Sequence, residues 1–193
     1  MVSVTESAPG SGAGTMPVVP ERDLTPKRVA DSEVTLTQMM EITDANIAGN
    51  VHGGAIIRLV DTAAALAAIR HAGGLAVTVA IDEMTFLEPV HIGELLVLKA
   101  SVTDVGRTSM ECGVRVEAVD PVTGVTRHAN SAYLVFVAVD EDGKPRPVPP
   151  LIVGSAIERR RQREAVLRRE RRMAHREAVK TARAAEAHDP GVS

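Results

Sequence analysis

One segment constrains this chain more than any other: HGGAIIRLVDTAAALAAIRHAGG, residues 52–74. From Ala55 to about Arg70 its apolar residues fall on every side of a 3.6-residue period. A helix here must therefore be enclosed nearly all round. Gly73 supplies its stop. A lone helix of that kind needs a wrapping, and the neighbouring sequence offers strands. EVTLTQMMEI, residues 33–42, begins as an alternating strand ahead of it. Four β-rich segments follow, at residues 76–86, 94–105, 109–120 and 126–140. In the third, Met110, Cys112, Val114, Val116 and Ala118 alternate with Glu111, Arg115 and Glu117, the pattern of a half-buried antiparallel strand. EPVHIG, GRT and PVTG between these segments have the length and chemistry of hairpin turns. The economical solution is an α+β fold in which an antiparallel sheet of about five strands wraps one long central helix.

The flanks read differently. Residues 1–32 are rich in Gly, Pro, Ser and Thr without apolar periodicity, and are expected to form a disordered leader. Residues 33–153 carry the strong patterns, and Pro147 to Pro150 (PVPP) close that domain because consecutive prolines remove backbone donors. Residues 154–193 are mainly good helix formers behind Ser155 as a candidate N-cap. Their apolar residues (Ile157, Val166, Leu167, Met173, Val179) are too sparse for a heptad seam, so this arginine-rich extension reads as a solvated helix docked by one edge.

Residues 155–193 hold eleven Arg and Lys against six Asp and Glu; with the whole chain at −3, the remainder stands near −8. That disfavours a basic nucleic-acid-binding domain, and two Phe, one Tyr and no Trp leave little on which to stack bases. A single cysteine, Cys112, excludes an intrachain disulfide and a multi-cysteine zinc site. No apolar run is long enough to span a bilayer, and the first twenty residues show no basic segment followed by an apolar one. The expectation is a cytoplasmic protein without membrane insertion.

Asp61 stands against the grain of its helix. An ionised carboxylate in apolar surroundings costs several kcal/mol unless it is paired or hydrogen-bonded. It is either satisfied by a group not visible locally or there to do chemistry. Asn46, in the loop TDANIAGN, is on local chemistry alone an ordinary Asx-turn residue, and so is Asp44. Gly53 and Gly54 fall where the helix begins, and permit at least a tight approach to the sheet. His52 is expected to pack beside the loop. No G-x-S-x-G elbow is present, which disfavours an α/β-hydrolase. Cys112, on the apolar side of its strand, reads as packed rather than reactive.

Taken together and in this order, NIAGNVHGG with VD seven residues on, FLEPVHIGE, GRTSME and YLVFVAVDEDGKPRPVP resemble the acyl-CoA thioesterases of the cytosolic acyl-CoA hydrolase group. The resemblance runs from about Val34 to Leu151, and the arginine-rich helix is similar to the family's C-terminal extension. It implies the hotdog fold, protomers that pair sheet to sheet as homodimers, acyl-CoA sites in the dimer interface, and further assembly into trimers of dimers. It implies hydrolysis of fatty acyl-CoA to free fatty acid and CoA, with no metal and no cofactor. By motif, its functional pair falls on Asn46 and Asp61, meeting across the interface, one from each protomer.

A thioester needs an activated nucleophile, a stabilised carbonyl oxygen and a bound leaving group. On the resemblance, Asp61 would serve as general base on water or as direct nucleophile, a choice left open. Burial would strengthen it as a base. Asn46 would orient the water or the carbonyl. The backbone N–H groups of Gly53 and Gly54 would suit the oxyanion. Arg107, Thr108 and Ser109 in VGRTSM, with Lys144 and Arg146 in DGKPRP, would meet the phosphates of CoA. The alternative is a hotdog protein that binds acyl-CoA without hydrolysing it, as a sensor or carrier.

Overall fold

The computed structural model describes residues 23–186. In chain order its elements are β1 (Lys27–Arg28), β2 (Val34–Met39), α1 (Gly53–Ala72), β3 (Ala76–Phe86), β4 (Leu95–Val105), β5 (Ser109–Val119), β6 (Thr126–Ala138), β7 (Leu151–Ile152) and α2 (Ala156–Glu186). Five of the strands form one antiparallel sheet in the order β2-β4-β5-β6-β3, curved around α1 as the periodicity predicts. Leu96, Leu98, Val102, Met110, Cys112, Val116, Leu134 and Phe136 turn inward and are fully buried. Burial also pushes the Cys112 thiol far up, so it stays protonated and inert. Ala63, Ala64, Ala67 and Ala68 of α1 are fully buried as well. Their small side chains let the helix seat close against the sheet.

The enclosure is incomplete. Ile57 and Leu66 of α1 are 37% and 44% exposed, and Arg58 and Thr62 face solvent. The expectation that α1 is enclosed nearly all round is thus corrected for the single chain. Five strands curve around only part of a helix's circumference, and apolar residues on the remaining arc stay uncovered.

Both ends of α1 are capped. His52 is the N-cap, its Nδ1 accepting the Gly54 N–H at 2.9 Å. A Cβ at position 54 would lie 2.9 Å from that same nitrogen, so the cap requires glycine. At the other end Gly73 adopts the left-handed conformation, φ 64°. Lys27 Nζ donates to the carbonyls of Arg70 (3.1 Å) and His71 (2.9 Å), and Arg146 donates to that of Ala72 at 3.0 Å. Two cations thus meet the negative end of the helix dipole.

Residues 27–32 correct the expected leader boundary. β1 pairs in parallel with β7, and the 3-10 turn Val29–Ser32 buries Ser32, whose hydroxyl donates to Val29 O (2.7 Å) and accepts from Val102 N–H (3.0 Å). A two-residue strand and a single tight turn carry no hydrophobic period, so composition alone misread them. Residues 1–22 of that leader lie outside the described residues. The prolines before β7 do not end the domain either: Pro150 O accepts from Lys27 N–H at 2.9 Å, and Pro149 O meets buried His71 Nε2 at 2.9 Å.

α2 lies on the outer face of the sheet and crosses it strand by strand. Arg160 and Arg161 border a cavity of about 430 Å³ with Thr35 of β2 and Lys99 of β4. Gln162 and Arg169 then reach Asp104 of β4. Arg168 grips Glu111 of β5 through two hydrogen bonds (2.7 and 3.1 Å) and stacks 3.5 Å above the Tyr133 ring of β6. Arg172 pairs with Asp82 of β3, and Arg171 faces Glu83 at 4.0 Å. The acidic surplus of the wrapping meets the basic surplus of the extension here. The helix is docked by a ladder of arginines rather than by an apolar stripe.

Candidate active site

Asp61 faces β3, half-buried, and its Oδ1 accepts a hydrogen bond from Thr78 Oγ1–H at 2.7 Å. Thr78 immediately precedes a register shift in β3, with a second between Ile81 and Glu83. Such bulges re-aim side chains. Asp61 Oδ2 has no protein partner among the described residues. The carboxylate is therefore anchored at one oxygen and open at the other, at the rim of the sheet rather than deep in the core.

That rim is unusual. β3 pairs only with β6, leaving its other edge without a neighbour among the described strands. Val77, Val79 and Ile81 on it are 47%, 45% and 48% exposed, with Phe86 and Leu87 half exposed beyond. Edge strands are commonly blunted with charge or proline, and this apolar stretch is not.

Asn46 sits in the loop before α1. Its Oδ1 accepts from the N–H groups of Ala48 (2.8 Å) and Asn50 (3.2 Å), and its Nδ2 donates to Val51 O at 3.5 Å. Within one chain it is the Asx-turn residue that local chemistry favours. Two of the motifs read from the sequence meet here: His91 Nδ1 lies 3.0 Å from Asn50 Oδ1, and Val51 N–H donates to Val90 O at 2.8 Å. Arg127 braces the β3–β4 connection that this loop leans on by gripping Glu94 (2.5 and 2.8 Å) and Glu88 (3.1 Å). The loop is held in place, with Ile42 and Ile47 projecting into solvent.

Of the two N–H groups expected to receive an oxyanion, that of Gly54 is already used by His52. Gly53 packs against Phe86, whose ring carbon would lie 3.5 Å from an added Cβ. Arg107 is exposed and unpaired among the described residues, and Arg107, Thr108 and Ser109 anchor their hairpin through backbone carbonyls. Lys144 is exposed, 3.3 Å from Asp142.

Arg146 corrects the sequence reading. It is 8% exposed and donates to Ala72 O at 3.0 Å and Val139 O at 3.2 Å, so it is a buried cap of α1 rather than a phosphate ligand. The bridge between Val139 and Pro145 turns the chain inward at this point. Thr78 was not singled out from the sequence, because a threonine in an aliphatic strand is commonplace. Among the described residues no three His, Cys, Asp or Glu side chains converge closely enough to hold a metal ion.

Comparison with known proteins gives this chain a family and a fold. Residues 48–125 match the family described as the Thioesterase superfamily. The chain is 32% identical to the cytosolic acyl coenzyme A thioester hydrolase of Mus musculus over 72% of its own length and 37% of that longer protein. An acyl-CoA hydrolase from Staphylococcus aureus, solved with butyryl coenzyme A, coenzyme A and coenzyme A disulfide, superposes with a TM-score of 0.76 at 31% identity, covering 84% of this chain and 99% of that one. Variants of that enzyme with an asparagine, an aspartate or a threonine changed to alanine have also been solved. An apo-hexameric acyl-CoA thioesterase superposes with a TM-score of 0.76 at 36% identity, covering 78% of this chain and 97% of that one.

Proposed function

The chain belongs to the thioesterase superfamily and is an acyl-CoA thioester hydrolase, and from that premise we propose that Asp61, held by Thr78 on the open β3 edge, is its catalytic base toward fatty acyl-CoA. The carrying observation is a carboxylate with one oxygen anchored at 2.7 Å and the other without a partner among the described residues, beside a sheet edge that no other described strand covers. The spacing lends support: the three residues changed to alanine in the Staphylococcus aureus enzyme are separated along its chain as Asn46, Asp61 and Thr78 are here.

Two protomers join through their β3 edges, covering Val77, Val79, Ile81 and the open arc of α1. The partner's Asn46 loop then faces Asp61, and its amide orients the thioester carbonyl or the water. Free Asp61 oxygen takes a proton from water as the water oxygen bonds to the carbonyl carbon. The oxyanion is met by the Gly53 N–H at the positive end of α1. Collapse breaks the carbon–sulfur bond, releasing CoA thiolate and fatty acid, and the proton passes from Asp61 to the thiolate or solvent. Arg107, Thr108, Ser109 and Lys144 remain the groups proposed to meet the CoA phosphates. Three such dimers assemble as a hexamer, and the cytoplasm is where this reading places the reaction.

The test is thiol release from acyl-CoA. Asp61→Asn is expected to lower kcat by roughly 10²- to 10⁴-fold with little change in KM, the range for removing a general base. Thr78→Val should lower it less, and Thr78→Ser should restore it. A single turnover in H₂¹⁸O tests for direct attack: an unlabelled first fatty acid with label in Asp61 requires an acyl–aspartyl anhydride opened at the Asp61 carbon, whereas a general base always puts the label into the fatty acid. Unchanged kcat in Asp61→Asn would sink the assignment. Tight acyl-CoA binding without hydrolysis at any chain length would favour the sensor or carrier.

A further inference from the structure

Between the first turns of α2 and the outer face of the sheet lies the cavity of about 430 Å³, a volume ordinary for a small-molecule site. Its floor is three strands wide. Gly113 of β5 stands at the centre, with Ser101 of β4 and Tyr133 of β6 paired to it on either side. A Cβ at Gly113 would lie 3.0 Å from the Thr103 methyl and 3.2 Å from the Tyr133 ring, so the centre is bare backbone. Glycine inside a strand often marks a place that another group approaches closely. Ser101 is 8% exposed, yet its hydroxyl makes no hydrogen bond among the described residues. A hydroxyl so deeply placed is ordinarily paired, and this one lines the cavity instead.

Cations line the cavity from two elements. Lys99 and Arg115 face each other across β4 and β5 and share Glu117, at 2.7 and 2.8 Å. Arg160 and Arg161 line it from α2. Arg160 pairs with Glu164 at 3.0 Å, whereas Arg161 has no ion pair among the described residues. Glu33, exposed at the lip, is the carboxylate that lines the cavity itself. Even with Glu33, Glu117 and Glu164 set against the four cations, the hollow keeps a net positive charge. Hydroxyls and cations suit a compact anion and not an acyl chain.

We infer that this cavity is a second ligand site, on the face of the sheet away from α1 and Asp61, that binds the phosphate groups of a small molecule between α2 and the sheet. Arg115 and Arg161 supply guanidinium forks that match phosphate oxygens in pairs, and Lys99 adds a point charge. The Ser101 hydroxyl donates to a phosphate oxygen that the cations leave open. Because its ligands come from both α2 and the sheet, an occupant ties the start of the helix down and stabilises the docked form. The phosphates belong either to CoA or to a free phosphorylated molecule, and the chemistry that recognises them is the same.

Pyrophosphate is the probe, titrated calorimetrically into the full chain. Saturable binding is expected, weakening as salt is added, with a rise in Tm on saturation. Arg161→Gln and Lys99→Gln should each raise Kd about tenfold or more, the usual worth of a charged hydrogen bond, and Ser101→Ala should raise it less. Arg161→Gln, an exposed change, should leave both the Tm of the ligand-free protein and thiol release from acyl-CoA as they were. Displacement of bound pyrophosphate by CoA would assign the cavity to the phosphates of CoA, and its absence to a free phosphorylated molecule. No saturable binding at millimolar pyrophosphate, or binding that neither Arg161→Gln nor Lys99→Gln weakens, would overturn the second site.

Discussion

Asp61 on α1 and Arg146 against its C-terminal end are both charged, and their surroundings separate structure from chemistry. Arg146 spends its donors on the carbonyl of Ala72, at the negative end of α1, and on that of Val139, just after β6. Arg146→Met should therefore destabilise the fold by about 2–4 kcal/mol in urea titration, the cost of stranding buried polar groups. The KM for acyl-CoA should stay where it was. A raised KM with unchanged stability would restore Arg146 as a phosphate ligand. Asp61 was legible in the sequence because its neighbours are so uniformly aliphatic. Arg146 was misread because a cation between two prolines in a polar turn carries no sign of pointing inward. Thr78 was missed for the same reason: its role depends on a bulge, which no residue pattern announces. The cap by His52 needed the geometry too, since a histidine before two glycines does not declare which nitrogen it turns toward the helix.

Among the elements, α1 and the four long strands after it follow closely from period and turn chemistry, and α2 follows from helix propensity. How α2 docks does not, because its ion pairs join residues far apart in sequence. The buried pair Arg168–Glu111 is further tied to Thr103, whose hydroxyl donates to Glu111 at 2.7 Å. Arg168→Met or Glu111→Gln alone should cost about 3–5 kcal/mol by leaving a charge unmatched, and the double change Arg168→Met with Glu111→Leu should cost less than either. Equal or additive losses in thermal melts would contradict that.

Asp104 behaves differently. Burial raises its pKa, outweighing the opposing pull of Arg169. It holds its proton more tightly folded than unfolded, so its stabilising contribution is full below the ordinary carboxylate pKa and is lost as pH rises through the raised value. Asp104→Asn should therefore melt no lower than the parent at pH 7, and any gain should close below about pH 4. Arg169, 35% exposed, stays solvated when its partner is removed. A clear fall in Tm at pH 7 would show that the ion pair outweighs burial.

For the whole molecule the decisive feature is the naked β3 edge, which joins the question of assembly to that of activity. Ile81→Lys should raise the dimer Kd on the order of a hundredfold, as a charge buried in an apolar seam costs a few kcal/mol. Activity should then fall on dilution in step with dimer content measured by sedimentation. Activity independent of concentration in a proven monomer would mean that the site is complete in one chain.

The parallel pairing of β1 with β7 has a consequence for how the protein comes into being. Lys27 is among the first described residues to be made, whereas its partner Leu151 emerges only after every long strand has been synthesised. Contacts that close so long a loop form late, because their entropic cost comes before their reward. During translation Lys27 can reach the end of α1 early, but Arg146 cannot. The helix is thus half-tethered while the sheet assembles around it, and the last residues of the domain close a ring rather than extend an edge.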